Sequence, residues 1–183
     1  MKRSKNELIL LIVFGVLAIA INIFIIVHSC LDATESTKAS TGVVKIIEDI
    51  INGIKPGTIN ESNYGAFTTF IRKAFGHFGL FVCSGLLTSP ALYFLLKPYK
   101  WAKYSYIITI SLLFGFSMGA LTETIQLNVP GRSGEFTDVM IDFSGYLLGA
   151  AIIVLILFLV IRHQNKKTSH ILFKHEIAKN TNI

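Results

Sequence analysis

Glu123, Gln126, Asp138 and Asp142 stand where a lipid-facing helix would carry leucine or valine. Glu123 and Gln126 are one helical turn apart, as are Asp138 and Asp142, so each pair shares a helix face. Between the pairs runs Val129-Pro130-Gly131-Arg132-Ser133-Gly134, which cannot continue a helix: proline lacks the amide donor and the glycines favour a turn. The stretch 119–149 therefore reads as a helix hairpin with polar groups at its tip. Ionisable residues at membrane depth are costly, which makes them markers of a functional site by default.

Three chemistries suit these residue types. Gly131 and Arg132, ahead of a helix start, fit anion capture through backbone donors, a positive helix end and a planar guanidinium. His77, Glu123, Asp138 and Asp142 offer imidazole and oxygen ligands for a metal, but no dense ligand motif supports one and the nearby fixed cations oppose it, so neither metal nor cofactor is expected. The same four residues are the candidate acid/base groups of a hydrolase or transferase, although no serine or cysteine lies in a recognisable nucleophile context. A purely structural alternative uses the same side chains. Glu123, Asp138 and Asp142 against Arg72, Lys73 and Arg132 would make a self-neutralising salt-bridge knot locking three helices.

The elements that must position these groups are apolar blocks. Of 183 residues, 52% are hydrophobic and 15% charged, and the apolar residues come in long runs. Leu8–Val27, interrupted only by Asn22, is roughly 30 Å long as a helix, one bilayer core. It is long for a cleaved signal and lacks a small-residue cleavage site, so it reads as a retained span. Further spans are expected at 74–96, 104–125 and 136–161, giving an all-α integral membrane bundle of four transmembrane helices. Residues 1–161 form the membrane domain and 162–183 a mobile basic tail near anionic headgroups. In the connector, Val43, Ile46, Ile47, Ile50, Ile51 and Ile54 recur at helical spacing opposite Lys45, Glu48, Asp49 and Asn52. This amphipathic helix, too short and charged to span, should lie in the membrane surface or cap the bundle. Cys30 and Cys83 suggest no disulfide framework or metal cluster, and Cys83 should be a small buried hydrophobe.

The net charge of +6 lies mostly at the two ends and in one short connector, a membrane pattern that speaks against nucleic acid. Lys2, Arg3 and Lys5, then Lys97, Lys100 and Lys103, then the tail cations Arg162, Lys166, Lys167, Lys174 and Lys179 put both termini in the cytoplasm and the hairpin tip outside. With that topology His77, Glu123, Gln126, Asp138 and Asp142 converge near the outer face. Gly115 and Gly119 precede Glu123 and Gln126 on one face of span three, and Gly145 and Gly149 follow Asp138 and Asp142 on one face of span four. Glycine stripes let helices approach closely, so each polar pair points into the bundle.

Glu123-x-x-Gln126, Pro130-Gly131-Arg132, Asp138 and Gly145-x-x-x-Gly149, with Arg72-Lys73 before His77-Phe78, resemble the VanZ-like membrane proteins, a family named for a teicoplanin-resistance protein. Two positions depart from the pattern: many relatives carry asparagine where Asp142 stands, and many place the histidine one residue closer to the basic pair. The resemblance covers roughly Leu8 to Val160 and implies a bacterial plasma-membrane protein linked to lowered glycopeptide sensitivity. The residues expected to bind a ligand are Arg72, Lys73, His77, Glu123, Gln126, Gly131, Arg132, Asp138 and Asp142. Their ligand would be an anionic envelope lipid or lipid-linked cell-wall precursor. The alternatives are an enzyme acting on such a lipid and an assembly partner with no ligand.

Overall fold

A computed structural model describes residues 3–181, with side chains through residue 160 and at 162 and 163. Every regular element among the described residues is helical: α1 (Lys5–Ser29), α2 (Ala33–Ile54), α3 (Tyr64–Ile71), a π-helical segment (Arg72–Gly79), α4 (Leu80–Leu96), α5 (Tyr104–Gln126) and α6 (Phe136–Thr181). Four stretches are long and apolar enough to cross a bilayer: Lys5–Ser29, Tyr64–Leu96, Tyr104–Gln126 and Phe136–Val160. The protein is a multi-pass, all-helical membrane protein.

Burial is inverted relative to a water-soluble bundle. On α1 the buried residues are Ala18, Asn22, Ile25 and Ser29, a single stripe, whereas Ile12, Val16, Ile19, Ile23 and Val27 are exposed. In water that surface would be unfavourable; against lipid tails it costs nothing. Between the helices the contacts are polar instead. Asn22 donates to Thr88 Oγ1 at 3.0 Å and to Ala18 O at 2.7 Å, and accepts from Ser84 at 2.9 Å. Ser111 contacts both Ser89 (2.9 Å) and the Tyr146 hydroxyl (3.0 Å). Glycine permits the close approach that these short bonds need. A Cβ at Gly85 would stand 2.3 Å from Tyr146 O, and one at Gly149 2.3 Å from Val82 O.

The chain divides into two units, Met1–Ala150 and Ala151–Ile183. The first holds α1 through the opening turns of α6 and everything that builds the site. The second is helical backbone through Thr181. The side chains of Lys166, Lys167, Lys174 and Lys179 lie outside the described residues.

Three expectations differ from what is observed. The second span starts at Tyr64 rather than Ala74, because α3, the π segment and α4 follow without a break; its 33 residues make about 50 Å, well beyond a ~30 Å core. Arg72 and Lys73 thus sit inside a continuous helical rod. The amphipathic helix starts ten residues earlier than Val43, with Asp32 capping α2 by accepting from the Glu35 amide at 2.8 Å. Cys83 is exposed, not buried; on a lipid-facing surface an apolar thiol needs no protein cover.

Candidate functional site

Five elements of the first unit meet at the end where α1 finishes and α6 starts. The π segment supplies Arg72, Lys73 and His77. In an α-helix, residues five apart point to different faces, whereas the i→i+5 pairing of a π-helix stacks them. The wider turn is what lets Arg72 and His77 face one cavity. α5 supplies Thr122, Glu123 and Gln126 from its last turns, and α6 supplies Asp138 and Asp142 from its first two. The connector between them turns at Gly131, whose φ of 71° favours glycine, and carries Arg132 back over the bundle.

His77 is the hub. Its Nδ1 lies 3.1 Å from Asp142 Oδ1 and 3.6 Å from Glu123 Oε1, and its Nε2 lies 4.0 Å from Asp138 Oδ2. The second oxygen of Glu123 is held from behind. Glu123 Oε2 accepts from the Glu135 amide at 3.0 Å, whereas Asp142 Oδ2 lies 3.4 Å from Thr122 Oγ1, which donates over a shorter distance to Gly119 O (2.8 Å). Gln126 donates to Glu123 Oε1 at 2.9 Å and accepts from Arg132 Nη2 at 2.5 Å, tying α5 to the connector. All four acid and amide side chains are buried, Asp142 completely.

The cations divide into two kinds. Lys73 bridges Glu135 (3.3 Å) and Asp138 and is thereby matched; the same contact holds the Glu135 carboxyl below its ordinary pKa. Arg72 and Arg132 form no salt bridge among the described residues. Arg72 reaches only Ser36 Oγ at 3.5 Å, and Arg132 Nη1 is buried without a hydrogen-bond partner. Burial, and then the neighbouring Arg72 charge, pull the Arg132 pKa below its usual value, while Glu123 and Asp138 oppose that pull. A self-neutralising knot therefore exists at Lys73 but not at the arginines.

Both arginines line a cavity of about 240 Å³. His77, Asp142, Thr122 and Gln126 form part of its wall, His28 and Ser29 come from the end of α1, and Ser36 and Ser40 come from α2. Phe24, Val43 and Phe75 make an apolar side whose rings and methyls are themselves exposed, which in a bilayer means facing lipid. Of the sequence-derived candidates, Arg72, His77, Gln126, Arg132 and Asp142 line the cavity. Lys73, Glu123 and Asp138 stand behind it in the His77 cluster. Gly131 is apart from both: it is exposed at a tight turn, where an added Cβ would meet the Ala33 methyl at 2.9 Å, and the Ala33 amide donates to Pro130 O. Its place is the seam between the connector and α2.

Sequence reasoning missed His28, Ser29, Ser36 and Ser40. Ser29 falls two turns after Asn22 on the buried stripe of α1, a spacing that was available. For α2 the signal was Asp32-x-x-Glu35, a helix-start pattern masked by the Ser/Thr-rich run that follows.

A family model described as VanZ/LLP1 matches residues 14–159, which include every residue of the cluster and the cavity. No curated protein and no solved structure matches the chain.

Proposed function

Since the chain belongs to the VanZ/LLP1 family, a membership that links it to glycopeptide resistance, we propose that its cavity binds the anionic headgroup of an envelope lipid or lipid-linked cell-wall precursor. The single observation carrying this reading is the pair Arg72 and Arg132, which share one cavity without a carboxylate partner while a buried Nη1 of Arg132 has nothing to donate to. Two guanidiniums in one small space repel each other, and an anion placed between them satisfies both in the geometry that arginine favours for phosphate. The apolar, lipid-facing side gives a headgroup a way in with its tail still in the bilayer. In this reading the site faces the outer leaflet of a bacterial plasma membrane and both termini are cytoplasmic, an orientation that the positive-inside count supports. A cysteine at Ser133, labelled in intact cells by a membrane-impermeant reagent, supports that orientation; labelling only after lysis reverses it. Binding itself is tested with Arg132→Glu, which should lose both retained anionic lipid and drug protection. A variant that folds and keeps full protection refutes the reading.

The His77 cluster favours a second reading, a membrane-embedded hydrolase or transferase acting on the bound lipid. An imidazole between two buried carboxylates can move a proton at the cavity wall. Glu123→Gln keeps shape and most hydrogen bonding while removing a base. An enzyme should then hold its lipid and lose turnover, whereas a binder would lose affinity alone.

A further inference from the structure

Glu123 and Asp142 are both nearly inaccessible, and their charges lack a matched cation. Lys73 is occupied by Asp138 and Glu135, and neither arginine reaches within salt-bridge distance of them. The one ionisable group between them is His77. The Glu135 amide holds Glu123 Oε2 and Gln126 donates to Glu123 Oε1, and that oxygen and Asp142 Oδ1 both approach the same ring nitrogen, the three atoms lying within 4.8 Å of one another. Atoms bound to one small dication at about 2.0–2.2 Å stand roughly 3–3.6 Å apart in tetrahedral or octahedral arrangements. The two separations from Nδ1 are 3.1 and 3.6 Å.

We infer that His77 Nδ1, Glu123 Oε1 and Asp142 Oδ1 form a divalent-cation site in the wall of the cavity. Three features beyond the ligand atoms fit it. Asp138 Oδ2 lies 4.0 Å from the other ring nitrogen of His77, beyond hydrogen-bond distance but on the side where an outer carboxylate would steady a metal-bound histidine. The Glu123 carboxylate is anchored by the Glu135 amide and by Gln126, so it is held in place before an ion arrives. His77 and Asp142 line the cavity, leaving the open positions of a three-ligand site on the side where Arg72 and the unpartnered Arg132 nitrogen also lie. Imidazole with two carboxylates suits Zn²⁺ or Mn²⁺ better than a soft, thiolate-seeking ion. Such a site runs against the expectation of no metal, drawn from the fixed cations nearby: Lys73 is engaged by Asp138 and Glu135, and neither arginine forms a salt bridge with Glu123 or Asp142 among the described residues. If an anionic headgroup also binds, which rests on the proposed function, the ion and the arginines would flank it.

The test uses purified full-length protein stripped with a chelator and titrated with Mn²⁺ or Zn²⁺ alone, with no lipid added. One ion should bind per chain. Asp138→Asn should weaken binding about 10–100-fold, as outer-shell losses do, and Glu123→Gln and Asp142→Asn should weaken it more. Wild type that takes up no stoichiometric ion overturns the site, as do ligand variants that bind as tightly as wild type. Should a variant fail to fold, nitrogen NMR of wild type still decides: Zn²⁺ must shift His77 Nδ1, and an unmoved resonance refutes the assignment. Lipid retention by chelator-treated protein that binds no ion defeats this inference alone. An ion bound with no anionic lipid retained defeats the headgroup reading alone.

Discussion

Two polar layers cross the first unit, and they differ in one respect. In the middle, Asn22, Ser84 and Thr88, and Ser89, Ser111 and Tyr146, are neutral and each finds a partner at 2.9–3.0 Å. At the end, His77, Glu123, Asp138, Asp142, Arg72 and Arg132 are ionisable, and Arg132 Nη1 is the buried side-chain nitrogen left without a partner among the described residues. A satisfied polar layer does a packing job: it fixes which helix faces meet where lipid supplies no hydrophobic drive between helices. An unsatisfied one stores cost, and protein interiors keep such cost mainly where a ligand relieves it. Neutral, satisfied side chains act as glue in one layer; the ionisable, incompletely satisfied layer is the candidate site.

That contrast can be broken first at the glycines between the layers. A methyl at Gly149 meets the Val82 carbonyl oxygen at 2.3 Å, so Gly149→Ala must push α6 off α4. Overpacking of this kind costs about 1–3 kcal/mol, and both melting temperature and ligand binding should fall. Unchanged melting would mean the two layers are not coupled through this seam. Next is Arg132→Gln, which keeps a donor near Gln126 but removes the charge. Retained anionic lipid should drop at least about tenfold, the size of one lost charge-assisted contact, with melting nearly unchanged. A reversed outcome, with stability lost and lipid kept, would turn the site into glue. Asn22→Ala then probes the middle layer. It should lower stability by about 0.6–1.7 kcal/mol, the range of interhelical hydrogen bonds in bilayers, and leave lipid retention alone. The smallest effect on the cavity is expected at the seam. Gly131→Ala strains a backbone at φ 71° and crowds Ala33, which should cost about 1–2 kcal/mol of stability and leave lipid retention unmoved.

Much of this was legible because membrane burial constrains sequence so tightly. The three spans other than the second can be read from apolar length alone, and the second misses its start because Tyr64–Ile71 looks like connector until the helix is seen to run through it. The inward direction of Glu123, Gln126, Asp138 and Asp142 followed from their spacing to glycines. Whether Lys73 or the arginines would neutralise the acids could not be read, since that depends on rotamers and on a π-helical segment that no periodicity announces. The α1 and α2 contributions to the cavity were hidden for another reason. Serine and threonine favour turns over helices locally, and α2 absorbs them by bonding Thr37 and Thr41 hydroxyls back to its own carbonyls. Legibility ended where tertiary contacts overrode local preference.

On the proposed function, Arg72 and Arg132 are left without carboxylate partners because an anionic headgroup binds between them. The most direct measurement is native mass spectrometry of protein extracted gently into detergent, comparing wild type with Arg72→Gln, Arg132→Gln and Asn22→Ala. Wild type and Asn22→Ala should carry the same bound anionic lipid, while both arginine variants, with melting close to wild type, should lose it. Equal retention in all four proteins, or no anionic lipid on wild type after native extraction, would contradict the account.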